Sequence, residues 1–404
     1  MSAIIFISGS KSTYPFLKRA KEKKFQTIVF DRDEKAFCRK YCDEFYAISS
    51  HDNDSILEKI TKNHKNIAGC LCYSSYPGAL KTTSRLCKEY KLSRFSIQAV
   101  DLCYNKILMK HILTNAGIRC PKDYLIKPHE QESTDQVLEK VEFSCVVKPS
   151  DGIGSLNVRK IDCREELNRY LYECTGDFND LVLEEYIDGF FLHVDGFVQK
   201  KKPVIISYSE KFVEFRNGSP LTKGYRLVED INTVVNNQQL LQIESQIHQG
   251  LATLGIDNHF FGADVIVSKS GDIYFLEMGF LMDAKMDRLL HHAGLDIYGY
   301  LVDIVTGKQI TTKNIPVPQK GYALRFLYAG NDGILLKKGT GDTDILTEWE
   351  KEDGDLVSRP QSVADIVGWL IASGSNSHEA WRKCIADTDR CYFSTTKTVR
   401  GETI

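Results

Sequence analysis

Three stretches of this chain place residues capable of chemistry at the ends of apolar runs. In CVVKPSDGIGSLNVRKI, Lys148 closes a buried-looking strand and leads into a small-residue loop with Gly152, Gly154 and Ser155. A lysine at such a strand end calls for an anion, and Gly/Ser loops leave backbone N–H groups open to phosphate oxygens. The bland alternative is a hairpin turn with a chance lysine. In LVLEEYIDG, a second strand ends in Glu184 and Glu185. Backbone groups at a strand end can pair the edge of an adenine ring while an acid accepts from its amino group or the ribose; a solvated strand end is the other reading. In ADVIVSKSGDIYFLEMG, a turn at Ser270-Gly271 puts Asp264 and Glu277 on adjacent antiparallel strands, each about six residues from the turn. Two carboxylates converging in an apolar setting need a cation, and hard oxygen ligands favour Mg2+.

The flanking patterns indicate what positions these groups. AIIFISG, YPFLKRAKEKK, QTIVFD, YAIS, SILEKITKNH, IAGCLCYS and ALKTTSRLCKEYK alternate strand and helix, which predicts a parallel, doubly wound α/β domain over 1–98. Its first turn, SGSKSTYP, lacks the second and third glycines of a dinucleotide-binding turn, so that use is not expected. DLCYNKILMKHILTN reads as a helix stopped by Gly117 and Pro121. Strands DYLI, FSCVVKPS and DLVLEEYI follow, with helix REELNRYLYEC before the last. Then come FFLHVDGFVQ, KPVIISYSEKF, FFGADVIVSK and DIYFLEMGF, with helix QQLLQIESQIHQGLATLG before the third. From about 317 the chain is strand-rich and ends in the helix HEAWRKCIADTDR. The expected blocks are 1–98, 99–316 (a smaller part at about 121–187 and a larger one at 188–316) and 317–404. The fold class is mixed, α/β then α+β, and multidomain.

Composition narrows the function. The 404 residues suit two or three domains at ~150 each. Lys plus Arg number 52 and Asp plus Glu 54, so no basic field exists to draw nucleic acid or anionic membrane. The start, MSAIIFISGSKSTY, has no basic stretch ahead of a long apolar centre, and no run nears the ~20 apolar residues of a membrane span. A cytoplasmic address is therefore expected, and the twelve cysteines are expected to be reduced. Cys70 with Cys72, and Cys38 with Cys42, lack the further His or Cys partners that zinc needs.

Lys106, Lys148 with its glycine loop, Glu184-Glu185 and the pair Asp264/Glu277 together resemble, in order and spacing, the ATP-grasp superfamily. The last block is similar to the tails of its amino-acid-ligase and biotin-carboxylase-like branches. The resemblance implies a two-part ATP-grasp domain using ATP and Mg2+, with Mn2+ as a substitute. It implies activation of a small carboxylate, such as an amino acid, as an acyl phosphate and its condensation with an amine, releasing ADP and phosphate. Lys106 and Lys148 would hold phosphates under a lid running from Ser150 to Ser155, through Gly152 and Gly154. Glu184, Glu185 and Ile187 would bind adenine, Asp195 would line the ribose, and Asp264 and Glu277 would hold the metal. A homodimer is compatible with it.

The chain also departs from that pattern. Asp264 stands where Glu is commoner, Phe191 where an acid is frequent, and Gly279 and Leu281 where Asn and Arg usually follow the metal-binding Glu. Lys285 and Arg288, in LMDAKMDRLL, are the candidates to supply the missing catalytic cation, against a reading as solvated helix residues. His193, His291 and His292 have no triad spacing and are expected to be structural. The competing functions are an ATP-grasp phosphotransferase, a carboxylase-type enzyme and a nucleotide-binding protein without ligase activity.

Overall fold

The computed structural model describes residues 2–64, 66–93, 95–127, 136–150, 154, 156–173, 180–341 and 345–396. Strands β1 (Ala3–Ile7), β2 (Gln26–Phe30), β3 (Glu44–Tyr46) and β4 (Ile67–Leu71) form a parallel sheet in the order β3-β2-β1-β4. The five residues of β1 are all buried, because both faces of the sheet are covered. Ile5 and Ile7 face a core shared with Leu80 and Leu86 of the helix Pro77–Glu89. Ile4 and Phe6 face the opposite core, with Phe16, Leu17, Leu301 and Val305. Part of that second cover comes from the helix Ile297–Val305, more than two hundred residues downstream. The approach is close: a Cβ on Gly69 would lie 2.9 Å from the Val305 carbonyl oxygen.

The middle of the chain holds two antiparallel sheets. β5 (Asp123–Ile126), β6 (Cys145–Pro149), β7 (Arg159–Ile161) and β8 (Leu181–Glu185) assemble in the order β5-β8-β6-β7. The helix Arg164–Glu173 covers this sheet through Leu167 and Tyr170. Next come β9 (Gly189–Gln199), β10 (Lys202–Arg216), β11 (Ser219–Leu227), β12 (His259–Ser268) and β13 (Ile273–Gly279). The helix Asn237–Leu254 starts on a capping box of Asn236 and Gln239 and ends at Gly255 in the left-handed conformation. It buries Ile243, Ile247, Leu251 and Leu254 in the core that backs this sheet.

The segment after 317 continues the large sheet. It contributes β14 (Gly321–Tyr328), β15 (Gly333–Thr340), β16 (Leu346–Trp349), β17 (Leu356–Val357), β18 (Ile366–Gly374) and β19 (Cys391–Thr395). β14, β18 and β16 extend an eight-stranded sheet ordered β13-β12-β9-β10-β11-β14-β18-β16, while β17, β15 and β19 form a small separate one. The junction is Gly224 against Arg325, where a Cβ on Gly224 would stand 2.0 Å from the Leu324 carbonyl oxygen. The sequence reads as a separate strand-rich block from about 317; the structure runs one sheet across that boundary. Among the described residues no helix is long and apolar enough to cross a membrane, and the described cysteines are free thiols.

Candidate functional site

The small sheet and the large sheet enclose a cavity of about 450 Å3. Val146, Ile187, Phe191, Ile266 and Leu276 give it apolar walls, and Lys106, Lys148, Glu184, Lys211, Asp264 and Glu277 put charge on its rim. Lys148 leaves the end of β6, as its position in the sequence implies, but it does not stand alone. Its Nζ lies 2.5 Å from Glu184 Oε1 on the adjacent strand β8, and Lys110 Nζ reaches the same oxygen at 2.5 Å. Lys110 is 1% exposed and Glu184 4%, so a buried carboxylate is shared by two ammonium groups. Burial lowers the Lys110 pKa. Burial would raise that of Glu184, yet the two lysines outweigh it and hold the carboxyl below its ordinary value. The pair of lysines thus brings one positive charge more than Glu184 neutralises.

Helix Lys106–Asn115 presents Lys106 and Lys110 one turn apart, on one face. Its N-cap Asn105 accepts from the Leu108 N–H, and the Lys106 N–H donates to the Ser150 carbonyl at 3.1 Å. Ser150 also donates its own N–H to Asp180, so the base of the expected lid is tied to the helix that carries Lys106. Gly154, with φ +65°, borders this cavity. Gly152 and Ser155 lie outside the described residues. Glu185, next on β8, also borders the cavity, and its carboxylate accepts from the Lys122 N–H at 3.3 Å; Ile187 lines the apolar slot.

Replacing Lys148 with alanine leaves Glu184 paired to Lys110, so the fold should survive. Nucleotide affinity should drop by about 1.5–3 kcal/mol, the worth of a charge-assisted contact. Calorimetric titration beside a melting curve checks both, and unchanged nucleotide affinity would remove Lys148 from the site.

The acidic half of the site is denser than its spacing suggests. Asp264 on β12 stands opposite Glu277 on β13 in the strand register, and both border the same cavity. Asp264 Oδ1 lies 2.6 Å from His193 Nδ1, and its Oδ2 accepts from Lys211 Nζ at 2.9 Å. Lys211 reaches on to Asp283 Oδ2 at 2.5 Å. The other ring nitrogen of His193 lies 3.0 Å from Asp195 Oδ1. Burial alone would lower the His193 pKa, but Asp195 and Asp264 raise it well above the usual imidazole range. Asp264 and Asp283 are held below the ordinary carboxylate range: burial works against this, and Lys211 with His193 overcomes it. Asp264 and Asp283 share the single ammonium of Lys211, and Glu277 borders the same cavity, so the carboxylates outnumber that ammonium. That surplus fits a divalent cation, with Asp264 and Glu277 as the facing pair and Asp283 beside them.

Three expected residues stand elsewhere. Asp195, expected beside the ribose, is 0% exposed and sits behind His193, because β9 turns both side chains to the same buried face. Lys285 belongs to a second cavity of about 950 Å3, which joins the first through Lys106, Gly154, Leu156, Lys211, Thr222, Asp264 and Glu277. Lys285 borders it, with Nζ 2.8 Å from Glu350 and 4.5 Å from the centre of the Trp369 ring. Arg288 instead stands 3.6 Å from Asp287, and Asp287 is the one of the two that borders the cavity. Serines 8, 10, 74 and 75 close the far wall at the C-terminal ends of β1 and β4, where the strand order of the parallel sheet reverses.

Sequence reasoning missed Lys110 and Lys211 and set His193 aside as structural. Lys110 was findable from its four-residue spacing to Lys106. Lys211, inside the strand SEKF, carries no such signal, because only the pairing of β10 with β9 and of β9 with β12 brings it to Asp264.

Residues 103–279 match the family model of the ATP-grasp domain. A D-alanine–D-alanine ligase of Bacteroides fragilis is 23% identical over 222 residues, 52% of this chain and 67% of that protein. Among solved structures, the L-amino acid ligase from Bacillus licheniformis superimposes with a TM-score of 0.79 at 14% identity, covering 98% of this chain and 99% of that one. Phosphoribosylglycinamide synthetase from Anaerococcus prevotii gives 0.74 at 16% identity, over 98% and 100% of the two chains. At these identities the structural likeness is one of fold.

Proposed function

We propose that this chain, which carries an ATP-grasp domain, is an ATP-dependent ligase that joins a small carboxylate to an amine. The observation that carries the proposal is the junction of two cavities at one set of charges, the smaller apolar-walled and the larger bordered by serines and further acids, sharing Lys106, Lys211, Asp264 and Glu277. The apolar slot by Ile187 and Leu276 is shaped for adenine. Lys106 and Lys148 face the phosphates, and Lys110 holds Glu184 so that Lys148 stays in place. Asp264 and Glu277 would hold Mg2+, with Mn2+ as a substitute, and Asp283 adds a third oxygen source; the ion supplies charge neutralisation to the phosphates.

The larger cavity then receives the carboxylate next to the terminal phosphate. A carboxylate oxygen attacks that phosphorus, the bond to ADP breaks, and an acyl phosphate forms. The amine attacks its carbonyl carbon, phosphate leaves, and the amine proton passes to a base or to water. Lys285 borders the space in which that carboxylate would sit. Arg288 acts through Asp287, as a positioning residue. Enclosure between the two sheets and the last segment, which lines the larger cavity through Asp332, Ser358 and Ser362, serves to keep water from the acyl phosphate. The same reading carries a homodimer and a cytoplasmic address.

The test is ADP and phosphate release with amino acids and small carboxylates, offered singly and in pairs. Release that needs a carboxylate and an amine together supports the ligase. A phosphorylated small molecule as the final product, with no free phosphate, would make the protein a phosphotransferase instead.

A further inference from the structure

We infer that Lys211 is a built-in stand-in cation, which keeps the carboxylate site closed to a free divalent ion until a nucleotide phosphate draws the lysine away. The inference rests on the ATP-dependent reading above. Both oxygens of Asp264 are already taken: Oδ1 by His193 at 2.6 Å and Oδ2 by Lys211 at 2.9 Å. The nearest oxygen of Asp283 is taken by the same ammonium at 2.5 Å. A metal ion reaching Asp264 therefore meets two groups already bound to it, His193 and the like-charged ammonium of Lys211. His193 is the fixed one, because its second nitrogen is held by Asp195, itself fully buried. Lys211 is the movable one. Its ammonium rides on a flexible four-carbon stem, and the residue borders both cavities, including the one that holds Lys106 and Lys148.

A polyphosphate in the smaller cavity offers Lys211 a competing anion. As the ammonium swings toward it, Asp264 Oδ2 and Asp283 Oδ2 are released beside Glu277, and three carboxylates then face one another with less positive charge between them. Metal and nucleotide should accordingly bind with positive coupling, and by linkage each should raise the other's affinity by the same factor. Without nucleotide, the lysine does the ion's electrostatic work.

The experiment is a Mn2+ titration of nucleotide-free full-length protein, followed by electron paramagnetic resonance of the free ion, in wild type, Lys211→Met, Lys211→Arg and the double variant Lys211→Met/Glu277→Gln. Lys211→Met should bind Mn2+ at least about tenfold more tightly than wild type, the order expected for removing a like charge a few ångströms away. Lys211→Arg should stay like wild type, and Glu277→Gln should remove the gained site. Equal binding by wild type and Lys211→Met overturns the inference. If Lys211→Met does not fold, wild type decides: nucleotide-free Mn2+ binding that Glu277→Gln abolishes overturns the inference, and its absence supports it. Calorimetry with a non-hydrolysable ATP analogue separates the premise, since failure of wild type to bind the analogue defeats the ATP-dependent reading whatever the metal arms show.

Discussion

Replacing Glu184 with alanine should cost about 3–5 kcal/mol of folding stability, the scale for removing one partner of a buried ion pair. The variant would leave Lys110, 1% exposed, and Lys148, 9% exposed, with their shared counter-ion gone. Glu184→Gln keeps the shape and an acceptor and should cost less. The sign of the pH dependence follows from the depressed carboxyl pKa of Glu184 in the fold. Its contribution is fully present above the ordinary carboxylate value of about 4.3 and fades as pH falls through the lower, folded-state value. Urea unfolding at neutral pH measures the loss, and an unchanged midpoint for Glu184→Ala would mean that the two lysines do not depend on it.

Glu277→Gln should lower metal-dependent turnover at least about 100-fold, taking outer-shell substitutions at metal sites, at 10- to 100-fold, as the lower bound. Nucleotide affinity should change far less, since the apolar slot and Lys148 are untouched. Asp264→Asn should also lower turnover, and it should further loosen His193 and Lys211, which Asp264 holds in place. A magnesium titration of ADP release at saturating ATP distinguishes these effects. Wild-type magnesium dependence in both variants would move the metal to other acids, with Asp283 the nearest.

What could be read from the sequence was the local part of the site. β1 and β4 show as short apolar runs because both faces of a parallel sheet are covered. The turn marked by Ser270-Gly271 puts Asp264 and Glu277 at comparable heights, but their direct opposition comes from a bulge between Asp264 and Val265: the strands pair Val267 with Ile273 and Val265 with Phe275 before Asp264 meets Glu277. Lys148 stands out because a charge at the end of an apolar strand is costly unless something answers it. What could not be read was non-local. That Lys110 answers Glu184 depends on a helix docking against a sheet about seventy residues downstream. That Lys211 and His193 converge on Asp264 depends on the strand order β12-β9-β10, which no spacing encodes. Asp195 shows the limit most plainly: its strand turns it inward to His193, where it is fully buried.

The acyl phosphate is the centre of the account, and the most direct test of it is to follow oxygen. With 18O in the carboxylate of a substrate pair that supports turnover, the attack described above carries one labelled oxygen onto the transferred phosphoryl group. The phosphate released when the amine displaces it should contain that oxygen, with ADP as the other product. Unlabelled phosphate, or AMP and pyrophosphate in place of ADP and phosphate, would contradict the mechanism.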